Sequence, residues 1–72
     1  MTQTDIPFTM LPEAVRTAFA ATEYAAVPWS VDDVDMLERE GVETVYVIEV
    51  EKYDNGRETE IDLYYSDRKS VV

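Results

Sequence analysis

The stretch IEVEKYDNGRETEIDLY, residues 48–64, constrains the fold more tightly than any other part of the chain. An Asn-Gly pair flanked by alternating apolar and polar residues is the strongest short-range hairpin signal, because a type I′ turn needs positive φ at both central positions. With Asn55-Gly56 as the turn, Val50 pairs with Ile61, Ile48 with Leu63 and Tyr46 with Tyr65, all on one face. A one-residue slip would send each of these side chains to the opposite face, so loop length and alternation specify the same register. That register also sets Glu51 opposite Glu60 and Glu49 opposite Asp62. Like charges directly across a strand pair are destabilising, so the purpose of this acidic face becomes the central question.

Upstream, Val42, Thr44, Tyr46, Ile48 and Val50 alternate with Glu43, Val45, Val47, Glu49 and Glu51. Trp29, Val31, Val34 and Met36 fit a preceding strand only with a bulge at Asp32-Asp33. A three-residue loop at Arg39-Glu40-Gly41, with glycine in the left-handed position, would pair Val34 with Tyr46 and Met36 with Thr44. Leu11, Val15, Ala18, Phe19, Thr22 and Ala26 recur at helical spacing, so a helix is predicted from Pro12 to just before Pro28. Residues 1–9 read as an extended lead-in, and Lys69 to Val72 as a short fourth strand after a turn at Ser66-Asp67-Arg68.

The predicted architecture is α+β: one N-terminal helix packed on one face of a three- to four-stranded antiparallel β-meander, with residues 1–72 forming a single domain. Its expected core is Leu11, Val15, Phe19, Trp29, Val31, Val34, Met36, Tyr46, Ile48, Val50, Ile61, Leu63 and Tyr65. Trp29 is expected to cap that core against Phe19. Tyr24 lies about half a helical turn away from the Val15 stripe, either exposed or folded under the helix end.

Charge and composition narrow the functional classes. Sixteen acidic residues against six basic ones give a formal charge of -10, which repels nucleic-acid phosphates and anionic membranes. No apolar run approaches the ~20 residues that span a bilayer. Cysteine and histidine are both absent. Disulfides, thiolate metal sites and Ser-His or Cys-His nucleophiles are thereby excluded, and no cofactor is implied. Paired carboxylates can do acid/base chemistry only in a cleft that separates their pKa values, and a sheet face in so small a chain offers none, so no enzymatic activity is expected.

The order LPEAVRTAF, an aromatic strand, then VETVYVIEVEKYDNGRETEIDLYYSDRKSVV resembles the PepSY-like, β-lactamase-inhibitor-like (BLIP-like) domains of bacterial envelopes. Leu11, Pro12, Ala14 and Val15 match the family's helix opening, Tyr46, Ile48 and Val50 its strand, and Asn55-Gly56 its middle turn. The closing turn departs from the pattern, reading Asp67-Arg68 where the family tends to have glycine. Members often carry two such units, and this chain holds one. The resemblance implies an α+β unit, a periplasmic or secreted setting, and a binding or inhibitory role. It brings no active-site residue with it.

The sheet face turned away from the helix is the candidate site. Val45, Val47 and Tyr64 form its centre, flanked by Asp33 and Asp35 and, at one end, by Glu49, Glu51, Glu60 and Asp62; Glu43 and Leu37 close the other end. An apolar centre with a charged rim is the anatomy of a modest protein interface, although antiparallel sheets also commonly expose one face to water. The partner-binding candidates are Val45, Val47, Tyr64, Asp33, Asp35, Glu49 and Asp62. The expected partner is a protein, either basic or an envelope enzyme. Two other readings fit the residues. One is a structural unit that self-associates as a homodimer in place of a second repeat. The other is a calcium-responsive domain using Glu49, Glu51, Glu60 and Asp62, although calcium prefers loops that wrap it with six to eight oxygens.

Overall fold

β3 (Val42–Asp54) and β4 (Arg57–Ser66) form the hairpin that Asn55-Gly56 predicts, with Tyr46 opposite Tyr65, Ile48 opposite Leu63 and Val50 opposite Ile61. Asn55 and Gly56 have φ of 54° and 77°, the positive pair a type I′ turn demands. The computed structural model describes residues 2–66. In it β1 (Thr2–Asp5) and β2 (Ser30–Arg39) complete a four-stranded antiparallel sheet in the order β1-β2-β3-β4. Between β1 and β2 the chain forms a 3-10 turn at Phe8–Met10, the helix α1 (Glu13–Ala20) and a second 3-10 turn at Glu23–Ala25. The fold is therefore α+β, but the helix follows a strand instead of opening the chain.

The residues expected as a lead-in thus supply an edge strand, with Gln3 opposite Leu37 and Asp5 opposite Asp35. The expected strand at Lys69 to Val72 lies outside the described residues. β1 continues into Ile6, whose N–H donates to the Val34 carbonyl at 3.0 Å and whose side chain is 9% exposed. Ile6 is a core residue that the expected list lacked.

The helix is shorter than its apolar stripe. Pro12 occupies the cap position, and its carbonyl accepts from the N–H groups of Val15 and Arg16. At the other end, the Thr22 hydroxyl and N–H both donate to the Phe19 carbonyl, at 2.7 and 2.9 Å. A threonine side chain that takes a backbone carbonyl offers the chain an alternative to another helical turn, and Thr22 is extended (φ -96°, ψ 162°). Ala26, expected on the helix, lies beyond that stop. The Val27-Pro28 peptide is cis.

Val15 and Phe19 of α1 share one buried cluster with Ile6, Leu11, Val34, Tyr46, Ile48, Val50 and Tyr65. Met36, Ile61, Leu63 and Trp29 pack against it while half-buried. Val31 does not belong there: it is 41% exposed. Phe19 makes its ring contact with Phe8, centroids 5.7 Å apart, and not with Trp29. Trp29 instead meets Tyr24 edge-on at 4.9 Å, and Lys52 lies 5.0 Å from its ring centre.

β2 carries the expected bulge, with Asp32 as the extra residue between Val31, opposite Val50, and Asp33, opposite Glu49. The first hairpin's register differs from expectation by two residues: Val34 faces Ile48 and Met36 faces Tyr46. A second irregularity, between Leu37 opposite Val45 and Arg39 opposite Val42, puts an additional residue on β3 near the turn. Gly41 has the expected left-handed backbone, φ 80°. A two-residue shift returns every side chain to its original face, so the face assignments hold while the cross-strand neighbours change.

Candidate functional site: the open sheet face

Alternation along the strands places one set of side chains on the face away from the core cluster. Reading across the sheet, Gln3, Leu37 and Val45 form one row, then Asp5, Asp35, Val47 and Tyr64, then Asp33, Glu49 and Asp62. Beyond these, Glu51 faces Glu60 and Tyr53 faces Glu58. The rows are ordered by chemistry. The apolar groups Leu37, Val45, Val47 and Tyr64 lie toward the β2–β3 turn, with Gln3, Asp5 and Asp35 beside them on the β1–β2 side, and carboxylates fill the end nearer Asn55-Gly56.

Two adjoining depressions lie on the face, one at its apolar end and one reaching into the carboxylate rows. One, about 240 Å³, is lined by Leu37, Arg39, Val42, Glu43, Val45 and Tyr64. The other, about 180 Å³, lies among Gln3, Asp35, Leu37, Val47, Glu49, Asp62 and Tyr64. Leu37 and Tyr64 border both, so the depressions adjoin one another on the face. Tyr64 is 49% exposed, while Val45, Val47 and Leu37 are half-buried.

The carboxylates crowd one another. Glu49, flanked by Asp33 and Asp62 on its two neighbouring strands, is held above the ordinary carboxylate range, first by lost hydration and then by the charges of Glu60 and Asp62. Glu51 is raised chiefly by a hydrogen bond with Glu58, and Glu60 chiefly by the charge of Glu58 and then by a hydrogen bond with it. Tyr53 is pushed up by the charges of Glu51 and Glu58. At the β1 edge, Asp5 is raised by its hydrogen bond with Asp33 and by that residue's charge. Asp33 also caps its neighbour, accepting from the Val34 N–H at 3.0 Å, and Gln3 donates to Asp35 at 3.2 Å.

Among the described residues, acidic oxygens come within 4.8 Å of one another in two groups, Asp5-Asp33-Asp35 and Asp32-Glu51-Glu60. Glu51 and Glu60 of the expected calcium set fall together in the second, while Glu49 and Asp62 stand outside both. Either group offers ligands from one side of a sheet, short of the six to eight oxygens that calcium takes.

All the partner-binding candidates read from the sequence lie on this face: Val45, Val47 and Tyr64 at its centre, with Asp33, Asp35, Glu49 and Asp62 bordering them. Sequence reasoning missed Asp5 and Gln3, because a polar stretch without an apolar partner face gives no strand signal. It also missed Glu58 and Tyr53, although extending the Asn55-Gly56 register by one more row would have found them.

A family model described as "Putative beta-lactamase-inhibitor-like, PepSY-like" matches residues 1–72. Comparison with curated proteins and with solved structures gives no match to either.

Proposed function

The chain belongs to the PepSY-like family, and from that membership and the open sheet face we propose that it is a noncatalytic protein-binding module of the bacterial envelope, with an inhibitory role toward its partner. The observation that carries this reading is the pair of depressions that meet at Leu37 and Tyr64, one of them also lined by Val47 and bordered by Asp35, Glu49 and Asp62. A central apolar patch inside a charged border is where binding energy concentrates in protein interfaces. The carboxylates lie on an open surface of paired strands with no enclosing cleft among the described residues, a setting suited to recognition rather than to acid/base catalysis. A periplasmic or secreted location accords with the family and with the absence, among the described residues, of a helix long and apolar enough to cross a membrane.

The test is a pulldown from envelope extract of the source organism, with wild type and Val47→Asp as parallel baits. Val47 sits at the middle of the face, outside the buried cluster, so the variant is expected to fold and to lose the partner. Equal capture by both baits, with circular dichroism showing both folded, would refute the assignment of this face.

A further inference from the structure

The open face differs from one end to the other, and that difference specifies what would sit on it. At ~3.3 Å per residue along a strand, Val45 at the apolar end and Glu51 at the acidic end of β3 are about 20 Å apart. The acidic end holds Glu49, Glu51, Glu58, Glu60 and Asp62 in successive rows. The cations of the described residues are placed elsewhere. Arg16 donates to the Leu11 carbonyl at 3.1 Å, Lys52 lies over Trp29, Arg57 lines a depression with Lys52 on the opposite face, and Arg39 borders the far, apolar depression. The acidic rows therefore lack a counter-charge from this part of the chain.

Resting on the binding-module reading above, we propose that the partner meets this face through one segment with two zones: an apolar or aromatic side chain over Val47 and Tyr64, and lysine or arginine side chains over the rows of Glu49, Glu51 and Glu60. Charge complementarity selects this occupant. Rows of like charge that repel one another in the free protein become attractive once cations lie across them. A second copy of the chain fits poorly, because with a formal charge of -10 it brings the same acidic rows, and among the described residues only Arg39 lies on its own open face to meet them. The apolar zone supplies contact area and the acidic zone sets the direction in which the segment lies, so reversal would put cations on Leu37 and Val45 and an apolar group on Glu60.

The proposal is tested with synthetic peptides added to the isotope-labelled full chain at moderate salt, following backbone amide signals by NMR. One peptide carries an aromatic-apolar block followed by a lysine-arginine block. A second has the same residues evenly interleaved, and hexalysine and calcium chloride are the remaining probes. The expected result is that the block peptide moves the signals of Val47 and Tyr64 together with those of Glu51 and Glu60, and binds about tenfold tighter than the interleaved peptide or hexalysine. The double variant Glu51→Gln with Glu60→Gln should remove most of that advantage. Equal binding of all three peptides would show charge attraction without a two-zone site and overturn the proposal. Calcium reproducing the acidic-end shifts at millimolar concentration, or shifts produced by raising the protein concentration alone, would overturn it in favour of a metal ion or a second copy. Failure here is separable from failure of the parent reading. A partner captured by wild type and by the Glu51/Glu60 variant but lost by Val47→Asp keeps the binding module and refutes the basic zone.

Discussion

Asp33 on β2 stands directly across from Glu49 on β3, one step beyond the bulge at Asp32. Glu49 in turn faces Asp62 on β4, so a line of three carboxylates crosses the sheet. Such a line costs stability in every cross-strand pair, and it persists because the opposite face holds the strands in place. Ile48 and Val50, the neighbours of Glu49 on β3, are fully buried in the core cluster. The acidic face is carried by a register that the other face determines.

The pH dependence of stability follows from that arrangement. Asp5, Glu49, Glu51 and Glu60 all have carboxyl pKa values raised in the folded chain. A carboxyl raised by folding makes the folded state bind protons more readily than the unfolded chain, so stability falls as pH rises through the raised value. The destabilisation is complete above the folded-state pKa values and vanishes below the ordinary carboxylate range. Urea unfolding should therefore show a higher midpoint near pH 4.5 than near pH 7. Added salt at neutral pH should also raise the midpoint, by screening the exposed rows. In the Glu51→Gln, Glu60→Gln variant the pH dependence should shrink; an unchanged profile would show that these rows do not set it.

The turn predicts a separate cost. Gly56 has φ of 77°, and a Cβ placed there would meet no atom within 4 Å, so substitution penalises only the backbone. Gly56→Ala should destabilise the domain by about 1–2 kcal/mol, the cost of a left-handed conformation for an L-residue. Asn55→Gly, at φ 54°, should cost far less. Chemical denaturation of the two variants measures the difference, and equal losses would contradict the type I′ assignment.

How legible each part was in the sequence follows from which physical constraint it rests on. The β3–β4 hairpin was readable because its turn chemistry and its alternation are independent signals that agree. The β2–β3 register was not, because shifting Val34 from Tyr46 to Ile48 keeps it on the same face, and alternation cannot distinguish the two. The helix end was hidden because Thr22 and Ala26 continue the stripe at helical spacing, whereas the stop depends on the Thr22 hydroxyl finding the Phe19 carbonyl. For the site, the central Val45, Val47 and Tyr64 came from β3 and β4 and were readable. Asp5 reaches the acidic rows only because β1 pairs with β2, a long-range pairing with no local pattern.

The Trp29 environment yields a spectroscopic prediction. Lys52 lies 5.0 Å from the indole centre and Tyr24 meets it edge-on. A cation over an exposed aromatic face contributes about 0.5–1 kcal/mol, so Lys52→Met should lower stability by no more than that while shifting the emission of the single tryptophan. An unchanged spectrum in the folded variant would place the ammonium away from the ring.

Ile6 gives the most direct check on the N-terminal edge. Its side chain is buried with Leu11 and Val34 and its N–H holds the Val34 carbonyl, while Thr2 to Asp5 are exposed along their whole length. β1 itself contributes little apolar burial and carries the Asp5 carboxyl against Asp33 and Asp35, so its attachment to β2 depends on the residue that follows it. Ile6→Ala should destabilise the domain by about 2–4 kcal/mol, the usual cost of emptying a buried aliphatic site. Ile6→Val should cost about 1 kcal/mol. Hydrogen exchange adds the local readout: in Ile6→Ala the β2 amides that pair with β1 should lose protection before those of the β3–β4 hairpin, because detaching an edge strand requires no disruption of the Asn55-Gly56 register. Uniform loss of protection across all four strands would instead show that β1 opens only with the whole sheet.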